Sequence, residues 1–114
     1  MTAKQLKQLF RLSHKVSVYV PELTKSGERC EDWNDKTAEL LVSLFGGSTS
    51  SDAIGYWHLS TGKLQREAVK LVFSYAEQLT DSAIDAIYRH AERLKAACQQ
   101  DAVAIEIDGE LYFV

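Results

Sequence analysis

Apolar residues recur at every second position in five stretches of the chain and at helical spacing in three. The order of these two periods sets the expected architecture. Leu6, Leu9 and Phe10 fall at i, i+3, i+4 within residues 3–12 and predict a short amphipathic helix. Val16, Val18 and Val20 alternate with Ser17 and Tyr19, a half-buried strand closed by Pro21, which has no N–H to offer a ladder. Residues 22–34 are polar and aperiodic and read as a long loop, with Cys30 and Trp33 its apolar members and Trp33 stapling it to the next helix. Asn34 or Asp35 then caps a helix to about Phe45, with Ala38, Leu41, Val42 and Phe45 on its buried face and Gly46-Gly47 as its stop.

A strand over Ala53–Leu59 turns through Ser60-Thr61-Gly62 into a long return strand, Leu64–Tyr75. In that strand Val69, Leu71, Phe73 and Tyr75 share one face and Ala68, Lys70, Val72 and Ser74 the other. Thr80 caps a second long helix whose face is Ile84, Ile87, Tyr88, Ala91, Leu94 and Cys98. Val103, Ile105 and Ile107 alternate, Asp108-Gly109 signals a tight hairpin, and residues 110–114 return. Strand–helix–strand followed by strand–helix–strand is the split βαβ, ferredoxin-like pattern of an α+β protein with an antiparallel sheet. Here it carries an extra C-terminal hairpin strand and an N-terminal helix. Residues 1–15 are expected to form a basic extension, and residues 16–114 a single domain. Two helices cover one sheet face, so the other stays open unless the N-terminal helix or a second subunit covers it.

Charge narrows the function. Residues 1–15 hold Lys4, Lys7, Arg11 and Lys15 and no acid, leaving nine bases against sixteen acids in the remainder. An acidic body argues against nucleic acid, whose phosphates need clustered cations. The apolar face of residues 3–12 is too small to favour a membrane surface, and no apolar run reaches the ~18–20 residues of a span. Cys30 and Cys98 are far apart without a metal or redox spacing, which predicts two free thiols and a reducing, cytoplasmic location.

Candidate chemistry concentrates between Phe45 and Glu67. Glu67 opens the long strand near Trp57, and a carboxylate beside an indole in a desolvated pocket gains a raised pKa suited to acid–base work. A structural carboxylate bonded to the glycine-rich backbone is the competing reading. His58 flanks Trp57 and could pair with Glu67 across the hairpin. Gly55, inside a strand two residues before Trp57, suggests close approach of another group. The Gly46–Ser51 run could cradle an anion, yet it follows a helix and lacks the lysine of a phosphate loop, so a helix stop is favoured. Tyr19, Tyr56 and Trp57 could stack a ring on an open sheet face. The expected ligand-binding set is Tyr19, Thr49, Gly55, Trp57 and Glu67. The three histidines, His14, His58 and His90, do not cluster; His90 is read as solvated, Cys98 as core, and no convergent metal set or cofactor motif is found.

The ordered set Phe45-Gly46-Gly47-Ser48-Thr49, Gly55-x-Trp57, Gly62-x-Leu64-x-x-Glu67 and Gln100-Asp101-Ala102-Val103 resembles a group of small bacterial and phage-borne proteins of unknown function. It is also similar to a secreted bacterial family of unknown function. The likeness spans about residues 16–114. Asp101 stands where the group has Glu, and Glu22-Leu23 where it has Ser-Thr. The resemblance implies no activity, and its phage-borne members imply a regulatory or host-defence role.

The sequence thus points first to a small non-enzymatic binding or regulatory module. It would self-associate or hold a protein partner, or take a small ligand near Gly46–Glu67. The alternative is a small enzyme, hydrolase or endoribonuclease-like, using Glu67 with His58 or a tyrosine.

Overall fold

The computed structural model describes residues 1–30 and 32–114. The elements run α1 (Ala3–Leu6), β1 (His14–Pro21), α2 (Trp33–Phe45), β2 (Thr49–His58), β3 (Leu64–Ala76), α3 (Asp81–Ala97), β4 (Ala104–Ile107) and β5 (Glu110–Phe113). The sheet order is β2-β3-β1-β4-β5, with every neighbouring pair antiparallel. This is the ferredoxin-like arrangement extended by β5, as the alternating periods predicted. Among the described residues no helix is long and apolar enough to cross a membrane.

Helices α2 and α3 lie on one sheet face. Val16, Val18 and Val20 of β1, Val72 of β3 and Ile105 of β4 point into that layer and meet Leu41, Ile87, Ala91 and Leu94. Full burial of each such large side chain contributes about 1.5–3 kcal/mol, and this row is the core. The register fixes the faces. Val18 opposes both Val72 and Ile105, so the next pairs out, Ser17 with Phe73 and Tyr19 with Leu71, turn to the other side. The Asp108-Gly109 turn has both residues at positive φ, the conformation a two-residue hairpin needs. Asp108 also accepts from the Lys15 N–H at 2.9 Å and binds His14 Nδ1 at 2.7 Å, tying the β4–β5 hairpin to the start of β1.

The structure corrects several expectations. Strand β2 begins at Thr49, because the polar run Thr49–Asp52 pairs with Phe73–Lys70 of β3. Both helices are rotated by about one position. Val42, Ile84 and Tyr88, expected in the core, are exposed, while Thr37 and His90 are buried. The physical reason is polar. Thr37 Oγ1 donates to the Trp33 carbonyl at 2.7 Å and lies 2.8 Å from His90 Nε2, so the imidazole donates to the hydroxyl. The Trp33 ring packs 5.4 Å from the imidazole. A hydroxyl and an imidazole that satisfy each other can occupy core positions that hydrophobic periodicity assigns elsewhere. His90 is therefore not the solvated histidine the sequence suggested.

Cys30 and Cys98 form a disulfide with a Cα–Cα separation of 5.8 Å, joining the segment 22–30 to the end of α3. They are not free thiols, which removes the observation that favoured a reducing compartment. The loop is further held by Lys25 on Asp101 at 2.9 Å and Ser26 on Gln99 at 3.1 Å.

Burial lowers the pKa of His90, with the neighbouring charges of Arg93 and Lys36 adding to the effect. Its neutral form is favoured in the fold, so the unfolded chain binds more protons below the ordinary histidine pKa of 6.5. Stability should be complete above that value and decline as pH falls through it towards the lower folded pKa; melting temperatures across this range should show the loss, and His90→Gln should flatten it. Thr37→Val, nearly isosteric, leaves the buried His90 N–H without its acceptor and should cost about 1–3 kcal/mol in denaturant unfolding.

Candidate functional site

The β2–β3 hairpin sets the site. Gly55 opposes Glu67 and Trp57 opposes Gln65, so these side chains stand on the face away from the helices. Tyr19 and Pro21 of β1 share that face through the pairings Tyr19–Leu71 and Pro21–Val69. Leu111 and Phe113 of β5 stand on it too, paired with Glu106 and Ala104. The connection from α3 to β4 brings Gln100, Ala102 and Val103 to its border. Together these residues line a cavity of about 390 Å³, within the ~300–1,000 Å³ usual for small-molecule sites.

Glu67 is the one carboxylate among the described residues lining this cavity, and no lysine, arginine or histidine is among them. Burial raises its pKa, with no hydrogen bond or neighbouring charge contributing to the shift. The carboxylate is therefore not committed to the glycine-rich backbone as a structural group. It faces a largely apolar space that a cationic group could enter.

The expected residues separate into two sets. Tyr19, Gly55, Trp57 and Glu67 meet in this cavity. Thr49 lies instead in another groove, of about 670 Å³, beside Phe45, Phe73 and Tyr75. His58 opposes Leu64 and alternates with Trp57, which puts it on the opposite sheet face from Glu67. The proposed Glu67–His58 couple is thus broken by strand parity, and Tyr19 is the tyrosine that shares Glu67's face. Close approach at Gly55 is not found either: a Cβ there would meet only the Glu67 carbonyl oxygen, at 3.9 Å. The missing side chain instead leaves room beside the carboxylate.

Sequence reasoning missed Pro21, Gln100, Leu111 and Phe113. Leu111 and Phe113 alternate on one face of the last strand, a signal that was present but could not be assigned to this wall without the sheet order.

No protein-family model matches the chain, and no curated protein matches it. Two solved structures do match its fold. A phage SAM lyase in complex with S-methyl-5'-thioadenosine is 15% identical with a TM-score of 0.65, the match covering 94% of this chain and 92% of that one. A phage SAM lyase in the apo state is 17% identical with a TM-score of 0.60, covering 93% and 94%. At these identities the likeness shows the fold. Both neighbours are enzymes, and this overturns the non-catalytic binding module as the leading reading: the likeness favours an enzyme-like reading, which the sequence offered as its alternative.

Gly55 has ordinary backbone angles and open space for a side chain. Gly55→Val should leave the melting temperature unchanged or raise it, since a β-branched residue suits a strand better than glycine. A large destabilisation in a thermal scan would show instead that the fold needs glycine there.

Proposed function

We propose that this chain is a lyase that cleaves a carbon–sulfur bond of S-adenosylmethionine and releases S-methyl-5'-thioadenosine. The observation that carries the reading is a desolvated, otherwise uncommitted carboxylate, Glu67, in an aromatic-lined cavity on a sheet whose fold matches that of the phage lyases. The phage-borne character of the sequence resemblance points the same way.

The chemistry suits the lining. The substrate carries a positive sulfonium and a positive α-ammonium group. Glu67 is half-buried, and a partly desolvated carboxylate attracts either cation more strongly than a fully solvated one would. Adenine offers a flat apolar ring, and Trp57 and Tyr19 stand on the cavity face where stacking on an aromatic contributes about 1–3 kcal/mol. Cleavage of the bond between sulfur and the amino-acid carbon sends the bonding pair to sulfur, which leaves as a neutral thioether. No water is consumed: the carboxylate of the substrate's own amino-acid portion supplies the electron pair, bonding to that carbon as the carbon–sulfur bond breaks and closing a five-membered lactone as the second product. The role assigned to Glu67 is to hold the cationic end of the substrate in the conformation from which that internal step occurs. Gly55 provides the space beside Glu67 that the amino-acid portion occupies.

Mass spectrometry of the purified chain incubated with S-adenosylmethionine should detect S-methyl-5'-thioadenosine accumulating beyond the spontaneous rate. Glu67→Gln keeps size and removes the charge; it should slow release by about 10²-fold or more, the loss typical of deleting one preorganised electrostatic group, with an unchanged melting temperature. No release by the native chain, or equal release by the variant, would reject the assignment. The pH profile adds a second check. Glu67 must be ionised to attract a cation, and its pKa is raised, so kcat/KM should fall with decreasing pH at values above the ordinary glutamate range. Residual activity of Glu67→Gln should lack that limb.

A further inference from the structure

The disulfide joins two segments that both run into the wall of the Glu67 cavity. Residues 22–30 follow Pro21, and Cys98 stands two residues before Gln100; Pro21, Gln100, Ala102, Val103 and Ala104 all line that cavity. The rest of the contact between these segments is polar and exposed. Lys25 meets Asp101 at 2.9 Å with side chains 65% and 88% exposed, and Ser26 Oγ donates to Gln99 Oε1 at 3.1 Å. Gln100 Nε2 donates to the Leu23 and Cys98 carbonyls at 3.3 and 3.0 Å. Exposed pairs of this kind contribute little, and no residue from 22 to 29 is buried. Within itself the segment is a small hairpin, with a Leu23–Arg29 bridge and the Cys30 N–H donating to the Glu22 carbonyl at 2.9 Å. The Cys30–Cys98 bond is therefore what keeps it against residues 98–101.

The elements on either side are anchored without that bond. Helix α2 meets α3 through Thr37 and His90, and Leu41, Ile87 and Leu94 are fully buried. Val103 and Val114 exchange N–H···O bonds at 3.1 and 2.9 Å, which fixes the far end of the cavity wall. Between these anchors Asp101 and Ala102 are exposed, and Gln99 has a φ of 56°. A stretch with few buried contacts opens locally while the core stays closed. The two sulfurs also differ in access. Cys98 is fully buried, whereas Cys30 is half-buried and lines a separate cavity of about 340 Å³ with Glu22, Arg29 and Lys70.

We propose that the Cys30–Cys98 pair is a redox-sensitive clamp on the cavity: the disulfide holds the Gln100–Ala104 wall in place, and its reduction by a dithiol releases that wall. A thiolate of the reductant attacks the Cys30 sulfur, which the second cavity leaves within reach. The electron pair of the sulfur–sulfur bond passes to Cys98, which takes up a proton, and a mixed disulfide forms at Cys30. The second thiol of the reductant then displaces Cys30 as a thiolate, which is protonated in turn. The reductant leaves as its own disulfide, and the protein has gained two electrons and two protons. Residues 22–30 and 99–102 lose their covalent link while α2, α3 and the central strands keep theirs to the core. The clamp on the wall stands by itself; its effect on turnover rests on the lyase reading.

Hydrogen exchange of the full chain, read by mass spectrometry before and after dithiothreitol, tests it. Alkylation should add nothing to the oxidised chain and two groups to the reduced one, one at each cysteine. Reduction should speed exchange at residues 22–30 and 98–102 by about tenfold or more, as expected when a covalent constraint on a long loop is removed. Exchange in β1 and β3 should stay slow, and reoxidation should restore the first pattern. Cys30→Ser, at the half-buried position, should exchange like the reduced chain and ignore dithiothreitol. Two reactive thiols that mild oxidation does not pair would overturn the proposal. So would equal exchange in both forms, or acceleration spread over the whole sheet, which marks a general staple. Turnover of S-adenosylmethionine is the second readout, and kcat/KM should fall on reduction. Unchanged turnover beside altered exchange overturns the control of the cavity. No turnover in either form, with exchange altered as described, rejects the lyase reading and supports the clamp.

Discussion

Two helices cover one face of a five-stranded sheet, and most other features of the molecule follow from that one-sided burial. Val16, Val18, Val20, Val72 and Ile105 take the helix side, and the period of two in a strand then commits every intervening residue to the opposite face. Ser17, Tyr19, Glu67, Leu71 and Phe73 have no choice once the valine row is buried. The candidate cavity is therefore a by-product of the core register: the same alternation that buries Val18 places Tyr19 beside the cavity mouth.

The helix layer is itself keyed by a polar contact. The Thr37–His90 hydrogen bond fixes how α2 and α3 meet, and it displaces the expected apolar faces of both helices by about one position. Its cost is a histidine held neutral where solvent would protonate it more readily. The disulfide and the Lys25 and Ser26 contacts hold the segment 22–30 against residues 98–101, close to the Gln100–Ala104 wall of the cavity. The wall thus depends on contacts between segments 68 to 76 residues apart in sequence.

Glu67 combines two effects that oppose each other in the free protein. Desolvation favours its neutral form, and an entering cation favours the charged one. Such a group is weakly committed before a ligand arrives and strongly committed afterwards, which suits the cationic substrate proposed for it.

The sequence determined the order and type of the elements, the hairpins and the ferredoxin-like class, because periods of 2 and 3.6 and turn residues at fixed offsets are local properties. It also placed Tyr19, Gly55, Trp57 and Glu67 as candidates, since aromatics and a carboxylate in alternating strands are visible without tertiary information. Strand register was decided only by the tertiary structure: one residue of parity separates His58 from Trp57, and that parity put His58 on the wrong side of the sheet for Glu67. Sheet order brought β5 and its Leu111 and Phe113 to the cavity, a long-range pairing that no local pattern encodes. The rotation of the helices came from a hydrogen bond between residues 53 apart, and the disulfide from cysteines 68 apart; hydrophobic periodicity is blind to both, because it counts polarity and not the partners that satisfy it.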